Sequence, residues 1–270
     1  MGEWRDEWRE ANRANWDERV PIHVSGEFYD VVSFKRGQER LQPFEIDEVG
    51  DVTGKELLHL QCHFGIDTLS WARRGAHVTG LDFSAPAVEA ARRLASDMGL
   101  EATFVHSDVY DAVDATGGLS FDIVYTGRGA ILWLPDIGRW AEVVADLLKP
   151  GGFLYLTEFH PFTDIFGDED LSVEYDYFQD ENPRVWDEPG TYADLDAETS
   201  NNLTYEWNHT LGDGVSAVSA AGLNIELLHE YDYTKVPRWP ILEKSGFDTY
   251  RLPEGTPRIP LMYSLRARKA

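Results

Sequence analysis

Cysteine is almost absent: Cys62 is the single one in 270 residues, which leaves no partner for an intramolecular disulfide and no thiolate set for a zinc cluster. Lysine is scarce too. Only six of the 24 basic residues are Lys, against 48 Asp and Glu, for a net charge of -24 at pH 7. Such a surface repels phosphate backbones, and no local basic patch relieves it, so a nucleic acid partner is not expected. No run reaches the roughly 18 consecutive apolar residues of a membrane span, so no membrane partner is expected either. The first twenty residues, MGEWRDEWREANRANWDERV, are charged and helical in pattern, unlike a signal or transit peptide, and the expectation is a cytoplasmic protein. An excess of acid with so little lysine fits either an ordinary acidic, soluble surface or one suited to a salt-rich, halophilic cytoplasm, where a short Debye length lets like charges coexist. What is present is 43% hydrophobic and 13% aromatic residues, enough to bury one sizeable core in a single domain over 1–270.

From about residue 55 short apolar runs alternate with helical ones, which predicts a parallel sheet covered by helices. Leu57 to Cys62 reads as the first strand, and Asp67 to Arg74 as a helix closed by Gly75. His77 to Phe83 is the second strand. Ser84-Ala85-Pro86 then opens a helix with a capping hydroxyl and a first-turn proline, and Gly99 closes it. Ala102 to His106 and Phe121 to Thr126 are the third and fourth strands. Trp140 to Leu148 is helical, and Lys149-Pro150-Gly151-Gly152 breaks it before a fifth strand, Phe153 to Phe159. The regularity stops after His160: residues 161–212, rich in Asp, Glu, Pro and aromatics, read as an inserted cap with short strands of its own, because so long a structureless loop is rare in a compact domain. A helix over Asp213 to Ala221 and strands over Asn224 to Tyr231 and Leu261 to Arg268 complete 213–270. The order predicts a doubly wound, Rossmann-like α/β fold, with 51–160 as its ligand-binding core. In 1–50, Trp4, Trp8, Asn12, Asn15 and Trp16 recur at spacings of three and four, giving a helix with an aromatic face. Continued by His23, Phe28 and Tyr29, that face is either docked for stability or a lid over the site.

In open α/β sheets ligands bind beyond the carboxyl ends of the strands. Asp82 ends the second strand about 20 residues after Gln61, the spacing expected of a carboxylate that accepts hydrogen bonds from ribose hydroxyls. Ser107-Asp108-Val109 follows the third strand and Thr126-Gly127-Arg128 the fourth. The segments LLHLQCHFG, GLDFS, VHSDVYD, FDIVYTGRGAILWLPD and LLKPGGFLYLTE, in this order, together resemble a class I S-adenosylmethionine-dependent methyltransferase of the small-molecule kind. HTLGDGVSAVSAAGLNIELL resembles that family's last helix and sixth strand.

The resemblance implies a seven-stranded sheet with an antiparallel last strand, S-adenosyl-L-methionine as cofactor, no metal, and a small-molecule methyl acceptor. It makes Asp82 the ribose partner, Phe83 a neighbour of the adenine, Asp108 the acceptor for the adenine amino group and Val109 a backbone contact. The turn Gln61, Cys62, His63 and Gly65 would carry the methionine arm, with Thr126 and Tyr29 nearby. The family usually has an acidic residue at 59 and glycines at 61 and 63, whereas this chain has His59, Gln61 and His63. A donor without phosphates tolerates side chains there, and Gln61 and His63 offer polar groups for the methionine ends. His160 is the candidate base or acceptor-orienting group beside Glu158. Arg128 could anchor an acidic substrate through its planar fork, and His209 could face the site from the cap. Two other readings share the architecture: a nicotinamide-dependent reductase, for which Tyr231 and Lys235 have a suggestive spacing, and a nucleoside-binding module without catalysis.

Overall fold

The protein is described here by a computed structural model covering residues 6–167, 169–178, 182–246 and 248–270; Trp4 of the aromatic spacing lies outside the described residues. The chain begins with helices α1 (Asp6–Ser25), α2 (Val31–Lys35) and α3 (Pro43–Val49). The core then alternates β1 (Glu56–Leu60), α4 (Ile66–Arg73), β2 (His77–Asp82), α5 (Ala85–Met98), β3 (Ala102–His106), a short α6 (Ala112–Ala115), β4 (Phe121–Thr126), α7 (Ile137–Leu147) and β5 (Leu148–Phe159). The remainder holds β6 (Arg184–Asp187), β7 (Leu203–Glu206), α8 (Leu211–Ala220), β8 (Leu223–Tyr231), β9 (Glu243–Gly246), β10 (Thr249–Arg251) and β11 (Met262–Lys269).

Seven strands form one sheet in the order β3-β2-β1-β4-β5-β11-β8. The first five are mutually parallel, and β11 runs antiparallel to both β5 and β8. The parallel strands read as near-continuous apolar runs because helices cover both faces; Leu57, Leu58 and Leu60 are fully buried. Helix boundaries follow local chemistry. Ser84 caps α5 by accepting from Ala87 N–H, and Gly99 ends that helix in the left-handed region. Thr210 and Asp213 cap each other at the start of α8. Most expected boundaries shift by a residue or two. The larger difference is β5, which starts at Leu148 because the Pro150-Gly151 segment already lies in the strand. The Pro-rich loop before β11 also contains the β9–β10 hairpin.

Pairing of Leu60 with both Leu81 and Thr126 brings the carboxyl ends of β1, β2 and β4 level. Strand order reverses between β1 and β4, and this switch point is where the crevice opens. The β6–β7 hairpin lies over that edge and is tied to α1. Asn12 donates from Nδ2 to the Tyr205 carbonyl and accepts from Tyr205 N–H, both at 2.8 Å. Asn15 and Arg19 both donate to the Asn201 carbonyl, at 3.0 and 2.9 Å. Trp8 packs its ring on Tyr205 and Trp207.

Candidate active site

The turn after β1 explains its own unusual residues. Gln61 and His63 have φ of 54° and 51°, the left-handed region that glycine occupies freely and that costs other residues about 1–2 kcal/mol. The backbone therefore keeps the shape of a glycine turn while adding two polar side chains, and strain of this kind persists where the surroundings over-determine it. Here His63 N–H donates to Asp82 Oδ2 at 2.7 Å. At Gly65 (φ 82°) a Cβ would come within 2.8 Å of the Phe104 ring, so only glycine fits. Cys62 is buried, its thiol lying beside Gly80 and the Phe104 ring in the layer beneath.

Asp82 is 6% exposed, and its two oxygens accept from His63 N–H and Ser84 N–H. Burial pushes its pKa up to about 6, with those two N–H groups opposing the rise. Asp108 caps the turn after β3 by accepting from Tyr110 N–H at Oδ1, and burial raises its pKa as well. Its Oδ2 has no hydrogen-bond partner among the described residues. Both line one cavity of about 120 Å³ together with Gln61, His63, Phe83, Val109 and Arg128.

Aromatic side chains roof this cavity. Trp16 of α1 meets His63 and Trp133 edge-on, at 5.1 and 5.4 Å between ring centres. Tyr29 hydrogen-bonds Tyr192, and both line the cavity. His23 of α1 bridges the layers, with Nδ1 2.9 Å from His63 Nε2 and Nε2 2.6 Å from Thr191 Oγ1. Burial, then the nearby Arg19, pulls the His23 pKa down to about 4, and burial pulls that of His63 well below the usual range. One ring of a neutral pair can donate while the other accepts.

Arg128, after β4, is held between two carboxylates. Its Nη1 lies 2.8 Å from Glu45 Oε2 of α3 and its Nη2 3.5 Å from Asp67. It lines the cavity as part of an ion pair, so an acidic ligand would compete with Glu45 and Asp67 for it. Beside it, Gln61 Nε2 donates to the Ala130 carbonyl at 2.8 Å, and Trp133 Nε1 to the Gly129 carbonyl at 2.9 Å.

Several expected site residues lie off this lining. Thr126 is buried at the end of β4. His160 caps the turn over Pro161–Ile165 by accepting from Phe162 N–H, while its Nε2 sits 3.0 Å from Glu230. His209 donates from Nε2 to the Leu134 carbonyl at 2.5 Å and so reaches the cavity only through Leu134. Tyr231 is spent on Glu48 and Lys235 on the Arg40 carbonyl, away from the lining, which removes the reductase pair. A larger, open hollow near Glu174, Tyr175 and Arg184 contains none of the expected groups. Trp133 and Tyr192 join the lining beyond the expected set; Trp133 stands within FDIVYTGRGAILWLPD, while nothing in the sequence marks Tyr192 among the many aromatics of its segment.

Residues 58–154 match the family model described as a methyltransferase domain. Over that segment the chain resembles a methyltransferase domain. Among curated relatives, the ubiquinone biosynthesis O-methyltransferase of Cronobacter sakazakii is 30% identical over 138 residues, 50% of this chain and 56% of that protein. The chain thus spans about half the length of the curated relatives it matches. An S-adenosylmethionine-dependent methyltransferase from Mesorhizobium loti superposes with a TM-score of 0.58 at 20% identity, over 84% of this chain and 96% of that one. The magnesium protoporphyrin IX methyltransferase of Synechocystis with bound S-adenosylhomocysteine has a TM-score of 0.50 at 14% identity, over 94% and 100%. These structures share the methyltransferase fold. Within it, the matched segment of the domain runs from β1 into β5 and includes the tips of β1 to β4, where the cavity lies.

Proposed function

We propose that the chain transfers a methyl group from S-adenosyl-L-methionine to a small-molecule acceptor, with donor and acceptor meeting in the cavity at the switch point. The observation that carries this reading is Asp82: a buried carboxylate at the tip of β2, fixed by two backbone N–H groups and lining the cavity. The residues suit the donor. Asp82 has acceptor capacity left for two ribose hydroxyls, Asp108 Oδ2 for an exocyclic amine, and the sequestered, unpartnered Oε1 of Gln61 for an ammonium. When bound, the donor supplies a methyl group already activated on a sulfonium.

In-line displacement then needs alignment above all, and well-oriented reactants save roughly 7–11 kcal/mol of barrier. Trp16, Trp133, Tyr29 and Tyr192 narrow the mouth of the cavity, which limits water and so strengthens electrostatic interactions inside. Neutral His63, whose Nδ1 has no partner among the described residues, is placed on this lining to hydrogen-bond the acceptor, its lowered pKa making it a weak base. A cavity of about 120 Å³ falls below the roughly 300–1,000 Å³ of small-molecule sites. That size suits a lid made of α1 and the β6–β7 segment that shifts on loading, and their mutual hydrogen bonds support their moving as one. Calorimetry tests the reading: S-adenosylhomocysteine should bind at one site and NAD(H) should not, and heat with NAD(H) alone would replace this reading with the reductase one.

A further inference from the structure

Glu158, next to last in β5, lies outside the cavity lining, 4% exposed, and its carboxylate gathers several backbone hydrogen bonds. Its carboxylate accepts from the N–H groups of Gly129, Ala130 at 2.9 Å, Ile131 at 3.2 Å and its neighbour Phe159 at 2.7 Å. Three consecutive amides of the loop after β4 are thereby gathered onto one side chain. That loop has no strand pairing of its own at these residues, and Gly129 takes φ of 70° to make the bend.

The consequence falls on Gln61. With the loop held, the Ala130 carbonyl accepts from Gln61 Nε2 at 2.8 Å. A carbonyl can pair only with the NH2 end of an amide, so this contact decides which way the amide faces. The other end, Oε1, is shut off from water with no hydrogen-bond partner, on a side chain that lines the cavity. An acceptor left in this way is matched by a ligand donor.

We propose that Glu158 is a positioning residue: through the Gly129–Ile131 amides and the Ala130 carbonyl it aims Gln61 Oε1 at the ammonium on the amino-acid end of the methyl donor. This rests on the S-adenosylmethionine reading above. The competing account is that Glu158 merely stiffens the loop, in which case every ligand of the cavity depends on it equally.

Two probes separate these accounts by calorimetry: S-adenosylhomocysteine, which has the amino-acid end, and 5′-methylthioadenosine, which lacks it. Wild-type protein should bind both. Glu158→Gln and Gln61→Leu should each weaken S-adenosylhomocysteine by about tenfold, the scale of one hydrogen bond to a charged group, and leave 5′-methylthioadenosine unchanged. The double variant should be no weaker than Gln61→Leu alone, because coupled residues are not additive. Equal loss for both probes in Glu158→Gln, or multiplying losses in the double variant, overturns the inference while leaving the reading intact. Wild-type protein that binds neither probe overturns the reading itself. If Glu158→Gln does not fold, Glu158→Asp, with the same charge and a shorter reach, yields the same comparison.

Discussion

The floor and the roof of the cavity are built by different means. On the floor, Asp82 and Asp108 hang from strand tips and are fixed by backbone N–H groups close by in sequence or on the next turn. The roof is fixed by side chains reaching across long separations: Asn12 to Tyr205, Arg19 to Asn201, His23 to Thr191. Backbone-held groups keep their geometry as long as the sheet persists. The roof's ties run between α1 and the β6–β7 segment, within the roof itself, so the floor is suited to recognition and the roof to moving as one lid.

If that contrast holds, the largest effect on affinity comes from the floor. Asp82→Ala should weaken S-adenosylhomocysteine by about 1–3 kcal/mol, the scale of hydrogen bonds to a charged group; an unchanged dissociation constant would remove Asp82 from the nucleoside site. Acidification should reproduce part of this loss. Ribose hydroxyls donate to the ionised carboxylate, and the Asp82 pKa is pushed up to about 6 by burial, so affinity is full above that pH and declines as pH falls through it. One unit below, binding should be about tenfold weaker, and Asp82→Ala should flatten that slope.

Changes in the roof should act on rates instead. Trp16→Ala removes the edge contacts to His63 and Trp133, each worth about 0.5–1.5 kcal/mol, and stopped-flow should show faster ligand release with little change in 5′-methylthioadenosine affinity at equilibrium. The smallest effect is expected from Asn12→Ala, which cuts the reciprocal pair to Tyr205. It should cost about 1 kcal/mol of stability in denaturant titration and make residues 184–206 more susceptible to proteolysis. A loss of nucleoside affinity as large as that of Asp82→Ala would erase the distinction between the layers.

The same contrast separates what the sequence discloses from what it hides. Strands β1 to β5 announce themselves as apolar runs, and the spacing from Gln61 to Asp82 points at a strand tip, because both follow from local periodicity. Even the altered turn was legible as a departure; that Gln61 and His63 would keep a glycine-like backbone was not, since that depends on Asp82 receiving His63 N–H from the next strand. Arg128 shows the limit more sharply. Its sequence neighbours say nothing of Glu45, which lies over eighty residues away on α3 and pairs with the guanidinium. Tyr192 and Thr191 come from a segment without regular periodicity, and only the fold reveals that they meet His23 and Tyr29.

The most direct measurement is a crystal structure of the protein with S-adenosylhomocysteine. The account predicts both ribose hydroxyls within hydrogen-bond distance of the Asp82 carboxylate, about 2.5–3.0 Å, with the purine beside Asp108 and Val109. A nucleoside bound elsewhere, or one in this cavity whose ribose turns away from Asp82, would contradict it.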